Sequence, residues 1–546
     1  MQTRFRQVFQ IRNMILGWLL PHLEMFMALQ KPKLWALAVL AGIAGGIAAI
    51  AFRGIISLMQ WLWTGSGSEL ILERVASLPP FIVWLTPTLG GLAVGLLLLG
   101  FGAQCRAGGV ADAIEARTSN VFSLSLRRAT VGTLISAITL GTGGSAGREG
   151  PIVYFAAAMS KALFRAFDMP PSARRVMLAA GAAAAISASF NSPIAGVLFA
   201  HEVILGHFAM TAFVPLVIAS VVAAVISRIW FGVEPAFILP DYQITSYWEI
   251  PAFALLGVVC AIVAILFQAG LIGTDWASRK IHMPIWLRPT LGGALVGLIA
   301  LAFPQILGVG YEATNLALTG QLSIWLMITL IVVKTIATSI TLGSRLGGGV
   351  FSPSLYLGAM TGGAFGLIAA SVFPDMASSE GLYAIIGMGA VASAVLGAPV
   401  STAVMIFELT GGFAFSLALL FTTAIATGLS QAAMGRSFFY WQLHSRGVLL
   451  EEGPHTQLAR QTQVKDLMRE FTQGEEKPAF DPVNRPVWLK RSDTLDTALK
   501  LFSSSDKPRL MVVASESNEP VGWLYHVDAL ANFNKALIAQ SREEHH

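Results

Sequence analysis

Between residues 34 and 439 the chain passes through one apolar stretch after another. About 20 apolar residues is the length that crosses a bilayer as a helix. Seven stretches read as spans: 34–63, 81–101, 213–231, 252–272, 291–303, 324–342 and 414–433. Six others, 152–164, 176–190, 194–205, 355–369, 382–396 and 400–409, are shorter and bounded by Gly, Pro or charge. They read as tilted or broken helices whose ends stop inside the membrane. Only 12% of the 546 residues are charged, against about 25% in a soluble domain. So few charges do not cover a soluble protein of this length, whereas a lipid-facing surface needs no such cover. The predicted fold class is an all-α polytopic membrane protein with a small cytoplasmic α/β tail.

Several functions are excluded early. Two scattered cysteines, Cys105 and Cys260, build neither a disulfide framework nor a thiolate metal site. The nine histidines show no metal-binding spacing, so no metal or other cofactor is expected. The net charge of +5 comes with no basic stripe interleaved with aromatics, which argues against nucleic acid. A basic cytoplasmic face explains it more simply. Arg4, Arg6 and Arg12 precede a short apolar stretch, 14–20, with no small-residue cleavage pattern after it. Residues 1–30 therefore read as an amphipathic helix at the cytoplasmic interface. After Ser445 charges crowd in, from Glu451 to Lys477, and residues 448–546 read as a soluble tail.

The chain also repeats itself. TPTLGGLAVG (86–95) returns as RPTLGGALVG (288–297), and TLGTGGSAGREGP (139–151) as TLGSRLGGGVFSP (341–353), both at an offset of 202 (289 − 87 and 341 − 139). SPIAGVLFAHE (192–202) returns as APVSTAVMIFE (398–408) at an offset of 206 (408 − 202). Ordered matches at nearly one spacing define two homologous halves, about 34–231 and 248–439, within segments 31–232 and 247–447. Transporters built this way hold their substrate at the repeat interface near the midplane, on discontinuous helices.

The breaks carry the chemistry. Gly147 and Gly150 flank Arg148 and Glu149, and Pro151 begins a helix; Gly347, Gly348 and Gly349 precede Val350, Phe351, Ser352 and Pro353, where another begins. Helix N-termini carry free N–H donors and a partial positive charge, so two of them meeting form an anion site without a full cation. A carboxylate inside a membrane is a functional hypothesis by default. Glu149 competes with an anion for those donors, and its protonation frees them. A salt bridge to Arg148 is disfavoured, because adjacent helical residues do not face each other.

GREGP (147–151) and GGVFSP (348–353) resemble two of the three pore motifs of the CLC family of chloride channels and proton–chloride exchangers. FNSP (190–193) and GAP (397–399) fit as well, and the resemblance runs from about residue 34 to 447. It implies an inverted-repeat fold, a homodimer with one pore per subunit, and a multi-pass place in the plasma membrane, with both termini cytoplasmic. It puts the gating glutamate on Glu149 and the central anion on the amides of Val350 and Phe351, with Gly147, Arg148, Gly150, Pro151 and Gly349 around it. Departures follow. The first motif, GSGIP in the family, has no letter-for-letter match in the stretch Gly108-Gly109-Val110-Ala111-Asp112; the chloride-coordinating serine falls on Gly108, which touches the chloride-versus-nitrate choice. The anion-binding tyrosine falls on Phe439, with Tyr440 adjacent. The internal proton glutamate of exchangers falls on Val203, next to Glu202. Valine there is typical of channel members.

Other polar groups read as structural: Glu202 and Glu408 as repeat mates that cap or pair, His201 as a packing histidine, and Asp112 and Glu115 as loop residues beside Arg106 and Arg117. Lys334 either adds positive potential or has an interhelical partner. The tail resembles a single CBS module over about 463–540. It opens at 464–468 and continues with a strand at 485–489, a helix at 494–502, strands at 510–514 and 520–524 around the turn 515–519, and a closing helix from 528. Such modules pair, so a partner from the other subunit is implied. Adenine nucleotide binding is not expected, because Tyr525 stands where a hydroxyl three residues before Asp528 belongs. The expected function is passive conduction of chloride or a similar small anion, without enzymatic activity. Two readings stay open beside it: a proton-coupled antiporter using Glu202 or water as inner relay, and an anion-sensing scaffold signalling through the tail.

Overall fold

The computed structural model of the chain describes residues 2–28, 30–68, 71–118, 124–167, 169, 171–233, 237, 242–448, 462–471, 488–505, 507–514 and 519–534. It divides into two compact units, residues 1–208 with 212–442, and residues 443–546 with 209–211. In the first unit the helices are α1 (Gln2–Ala28), α2 (Lys31–Thr64), α3 (Leu72–Ser77), α4 (Pro80–Phe101), α5 (Val110–Thr118), α6 (Leu126–Gly141), α7 (Glu149–Ala166), α8 (Pro171–Phe190), α9 (Pro193–Phe199) and α10 (Met210–Phe231). The second half continues with α11 (Ile250–Lys280), α12 (Leu287–Ala302), α13 (Tyr311–Leu318), α14 (Ile324–Gly343), α15 (Phe351–Val372), α16 (Glu380–Leu396), α17 (Pro399–Thr410), α18 (Ser416–Met434) and α19 (Phe438–His444). α9 runs on as a π-helical segment, Ala200–Leu205.

Among the described residues seven helical runs are long and apolar enough to cross a membrane. Two expectations about spans are corrected. Of the expected span 291–303, all but the C-cap Phe303 belong to α12, whose 16 residues fall in the shorter class. Residues 355–369 belong to α15, whose 22 residues make it one of the seven. Glycine in the second case looked like an interruption. It instead lets α15 approach α16, since a Cβ on Gly358 would meet the Gly387 backbone. Small residues serve this end in membrane helices.

The two halves touch reciprocally. In α4, Cβ atoms on Gly91 and Gly95 would strike the carbonyls of Pro289 in α12 and of Trp286, its N-cap. In α12, Cβ atoms on Gly293 and Gly297 would strike those of Pro87 and Trp84. Every contact has a mate displaced by 202 in both partners, which is the signature of a two-fold relation. Numbers rise along one helix as they fall along the other, so α4 and α12 are antiparallel. Equivalent helices pointing in opposite directions place the pseudo-axis across them. With α4 spanning the bilayer, the second half is an inverted copy of the first. Further pairs obey the same symmetry: Ser145 N–H donates to Thr341 Oγ1 (3.2 Å), and Gly347 N–H donates to Thr139 Oγ1 (2.9 Å).

α1 departs from the single apolar stripe expected of it. Trp18, Leu19 and Leu20 are all exposed, with Leu23, Met25 and Met27. Consecutive helical residues point about 100° apart, so apolar surface surrounds this stretch. The side chains of Arg4, Arg6 and Arg12 lie outside the described residues.

The second unit holds a four-stranded sheet in the order β1-β4-β3-β2, with β1 Arg469–Glu470, β2 Trp488–Lys490, β3 Arg509–Val513 and β4 Pro520–Tyr525. β2 runs parallel to β3, and β4 is antiparallel to both β3 and β1. The parallel pair needs a crossover, which α20 (Leu495–Ser505) supplies. Leu495, Ala498 and Phe502 of α20 pack on Leu489, Leu510, Val512 and Leu524 of the sheet. The closing helix covers 526–534, two residues earlier than expected, and a 3₁₀ turn at Val464–Asp466 opens the unit. Residues 485–487 of the expected first strand and 515–518 of the expected turn lie outside the described residues.

Candidate functional site

The two glycine-rich breaks meet. Gly147 and Gly349 exchange both backbone hydrogen bonds, each 2.7 Å, in a bridge centred on the pseudo-axis. The next residues open helices away from it: Arg148 caps α7 and Val350 caps α15, neither with a side-chain cap bond. Pro151 and Pro353 stand third in these helices rather than first, still in the turn where a missing N–H costs nothing. The bridge thus brings two N-terminal turns to one place. Gly109 joins them, since a Cβ on Gly150 would lie 3.2 Å from the Gly349 Cα and 3.7 Å from that of Gly109. All three glycine motifs converge, although they are far apart in sequence.

Into this junction comes the side chain of Glu149, fully buried. Its Oε1 accepts from Ser352 Oγ at 2.5 Å, in the first turn of α15. Its Oε2 has no hydrogen-bond partner among the described residues. A Cβ on Gly147 would lie 2.7 Å from that Oε2 and 3.1 Å from Ser352 N, so a side chain there would press on the carboxylate. The first half's carboxyl group therefore sits on the second half's helix terminus, and the junction accommodates a carboxyl oxygen. Arg148 is nearer to it than expected, with Nε 3.9 Å from Oε1. As the cap, Arg148 lies outside the helix proper, so the rule for adjacent helical residues does not govern it. Its guanidinium also donates to the Ser189 carbonyl (3.1 Å) and lies 4.9 Å from the centre of the Tyr311 ring. Phe351 packs its ring against Phe190 and Phe199, with centroids 5.1 and 6.1 Å apart, and Val350 is buried.

The remaining candidates have definite places. Gly109 N–H donates to Asp112 (2.8 Å), and Arg106 pairs with the same carboxylate (2.9 Å). Asp112 is thus a buried capping residue in the first turn of α5, which begins at Val110, rather than a loop residue. Gly108 faces the ring of Tyr154 from α7. Phe439 is buried in α19, and Tyr440 carries the Arg436 guanidinium 4.9 Å from its ring centre. Val203 is buried in the π-helical segment. Beside it, Glu202 accepts from the N–H groups of Val400 (3.1 Å) and Ser401 (2.8 Å) at the start of α17. Glu408 does the same for Ile194 (3.0 Å) and Ala195 (2.8 Å) at the start of α9. Each half caps a helix of the other. Lys334, fully buried, donates to the carbonyls of Ile306 (2.9 Å) and Gly308 (3.1 Å), and His201 stacks on Phe208 and Phe213. Ser352, Tyr154 and Tyr311 escaped the sequence reading as site residues. Only Ser352 had a signal, its place inside the second motif.

Comparison with known proteins agrees with this architecture. The family model described as voltage gated chloride channel matches residues 90–431. A putative chloride channel protein, ClcB-like, of Ralstonia nicotianae is 33% identical over 404 residues, covering 72% of this chain and 94% of that protein. The voltage-gated ClC-type chloride channel ClcB of Escherichia coli is 30% identical over 402 residues, covering 72% and 95%. Among solved structures, a slow cyanobacterial Cl⁻/H⁺ antiporter superposes with a TM-score of 0.69 at 23% identity, covering 76% of this chain and 98% of that one. A eukaryotic CLC transporter gives 0.68 at 18% identity, covering 92% and 98%. With its inverted repeat and converging glycine breaks, the chain belongs to the voltage gated chloride channel family, the CLC proteins.

Proposed function

We propose that the protein carries chloride or a similar small anion across the membrane through the α7–α15 junction, in the manner of a channel, with Glu149 as the gate. One observation carries this reading: the buried Glu149 carboxylate rests on the first turn of α15 through Ser352. An anion seeking those helix-terminal donors competes with that carboxylate. Protonation removes the carboxylate's charge and its claim on the donors. Val350 and Phe351 contribute main-chain amides, and Gly147, Gly150, Pro151 and Gly349 let the backbones approach.

The relatives at 30% identity and above are named as chloride channels, which supports the anion. Channel-like conduction is favoured over proton exchange by Val203, which carries no proton, and by Glu202, whose carboxylate is engaged on the α17 terminus. In the same reading the protein is a transporter without enzymatic activity. It works as a homodimer in the plasma membrane with cytoplasmic termini, and residues 463–540 form a CBS-like module that pairs with the partner subunit's copy.

The test is simultaneous chloride-electrode and pH-electrode recording on proteoliposomes. Chloride flux is expected to rise with acidity and to proceed without stoichiometric proton movement. Glu149→Gln is expected to give flux independent of pH, because the neutral amide mimics the protonated acid. Uphill proton transport driven by a chloride gradient, abolished in Glu149→Gln, would replace the channel reading with an antiporter.

A further inference from the structure

Gly108 stands where the family motif carries a hydroxyl side chain, and the space for any side chain there is already taken. A Cβ on Gly108 would overlap three atoms of the Tyr154 ring, Cγ among them at 2.6 Å. These are atoms at the root and flank of a ring, not the tip of a flexible chain, so they do not yield by a small rotation. The loop is packed closely by α6 as well: a Cβ on Gly132 would lie 2.8 Å from the Arg106 carbonyl and 3.4 Å from Gly108 N. Asp112 pins the neighbouring Gly109 amide and Arg106. Tyr154 is buried and lies on α7, five residues after Glu149, so one helix carries both the carboxylate of the junction and the ring beside it.

We propose that Tyr154 forms the wall of the anion path at Gly108, and that Gly108 and Tyr154 act as one specificity-determining pair. This rests on the reading of the α7–α15 junction as the anion path. The apolar ring face, rather than the phenol oxygen, lines Gly108. An anion passing there meets a flat, weakly polar surface in place of a hydroxyl donor. Such a wall penalises an anion according to how strongly it holds its water, so it bears on selectivity as well as on rate.

The experiment is a double-mutant cycle in proteoliposomes, reading both the flux and the nitrate-to-chloride permeability ratio. Gly108→Ser alone is expected to lower flux about tenfold, because the new side chain overlaps the ring. The same change in the Tyr154→Ala background is expected to cost less than half of that on a logarithmic scale, the coupling expected of residues in contact. Tyr154→Phe keeps the ring carbons against Gly108 and should shift the ratio less than Tyr154→Leu does. Tyr154→Leu removes the flat face and should shift the ratio. Equal costs of Gly108→Ser in both backgrounds would overturn the proposal. Should the double variant fail to fold, an unchanged ratio in Tyr154→Leu, or a ratio shifted as much by Tyr154→Phe, would overturn it instead. Absence of anion flux in the wild type would sink the reading of the junction; normal wild-type flux with an uncoupled cycle sinks only the pairing of Gly108 with Tyr154.

Discussion

The first turns of α7 and α15 are equivalent by sequence and by position, yet they differ in what they present. α7 opens with Arg148 and Glu149, an ionic pair of residues, and α15 opens with Val350 and Phe351, both apolar. Their backbones obey the two-fold relation closely enough to exchange two hydrogen bonds of equal length across Gly147 and Gly349. Symmetry resides in the main chain, which supplies donors, whereas asymmetry resides in the side chains. One half contributes the buried carboxyl group, and the other contributes the seat on which that group rests, Ser352. In the proposed reading, a site with two carboxylates would repel its own ligand, and a site with none would have nothing to respond to acidity.

The comparison is broken most severely at the two bridge glycines. In Gly349→Ala the new Cβ would lie 3.0 Å from Gly150 N and 3.3 Å from its Cα, against main chain that does not move aside. Flux in proteoliposomes is expected to fall about tenfold or more, within the usual cost of overpacking. In the mirror change, Gly147→Ala, the nearest atom is Glu149 Oε2, the end of a flexible side chain. That carboxylate is expected to be pushed from its seat, so the variant should retain flux and lose most of its pH dependence. Equal phenotypes for the two would show that the side chains do not distinguish the halves.

A smaller effect sharpens the same contrast. Ser352→Ala removes the hydroxyl that holds Glu149 Oε1. A permeant anion then displaces the carboxylate more easily, and chloride flux at neutral pH should rise roughly three- to tenfold, the equivalent of one hydrogen bond. Flux unchanged from the wild type would remove Ser352 from the site.

The smallest effect lies where the halves are most alike. Glu202→Gln and Glu408→Gln each leave a helix N-terminus without its carboxylate, at a cost of about 1 kcal/mol. Because the two caps are reciprocal, thermal unfolding in detergent should show nearly equal losses. A loss confined to one of them would mean that only one cap bears on stability.

Much of this was legible in the chain. Motifs recurring at an offset of 202 identified the halves, and the pairing of glycine with proline identified the breaks, because both signals are local. The length of α15 was read short, because glycine reads as an interruption until a neighbouring helix is known to need the space, whereas α12 was credited with a span that its 16 residues do not fill. Contact between Gly108 and Tyr154 left no trace in sequence, since an aromatic in an apolar run looks like any core residue. Arg148 came closer to Glu149 than the helical rule allows because it is the cap of α7 and lies outside the helix to which that rule applies.

The exchange of caps between the halves has a consequence in time. The start of α9 is finished by Glu408, which lies 214 residues after Ile194. At a synthesis rate of about 5–20 residues per second, that interval is about 10–40 seconds. Throughout it the N-terminal amides of α9 have been made but their acceptor has not, in a solvent that offers few substitutes. The first half therefore waits in the membrane unfinished, and it closes only when the last few helices arrive. Nascent chains halted before residue 408 should remain open to protease or to cysteine-directed labels near Ile194, and chains released just beyond it should become protected.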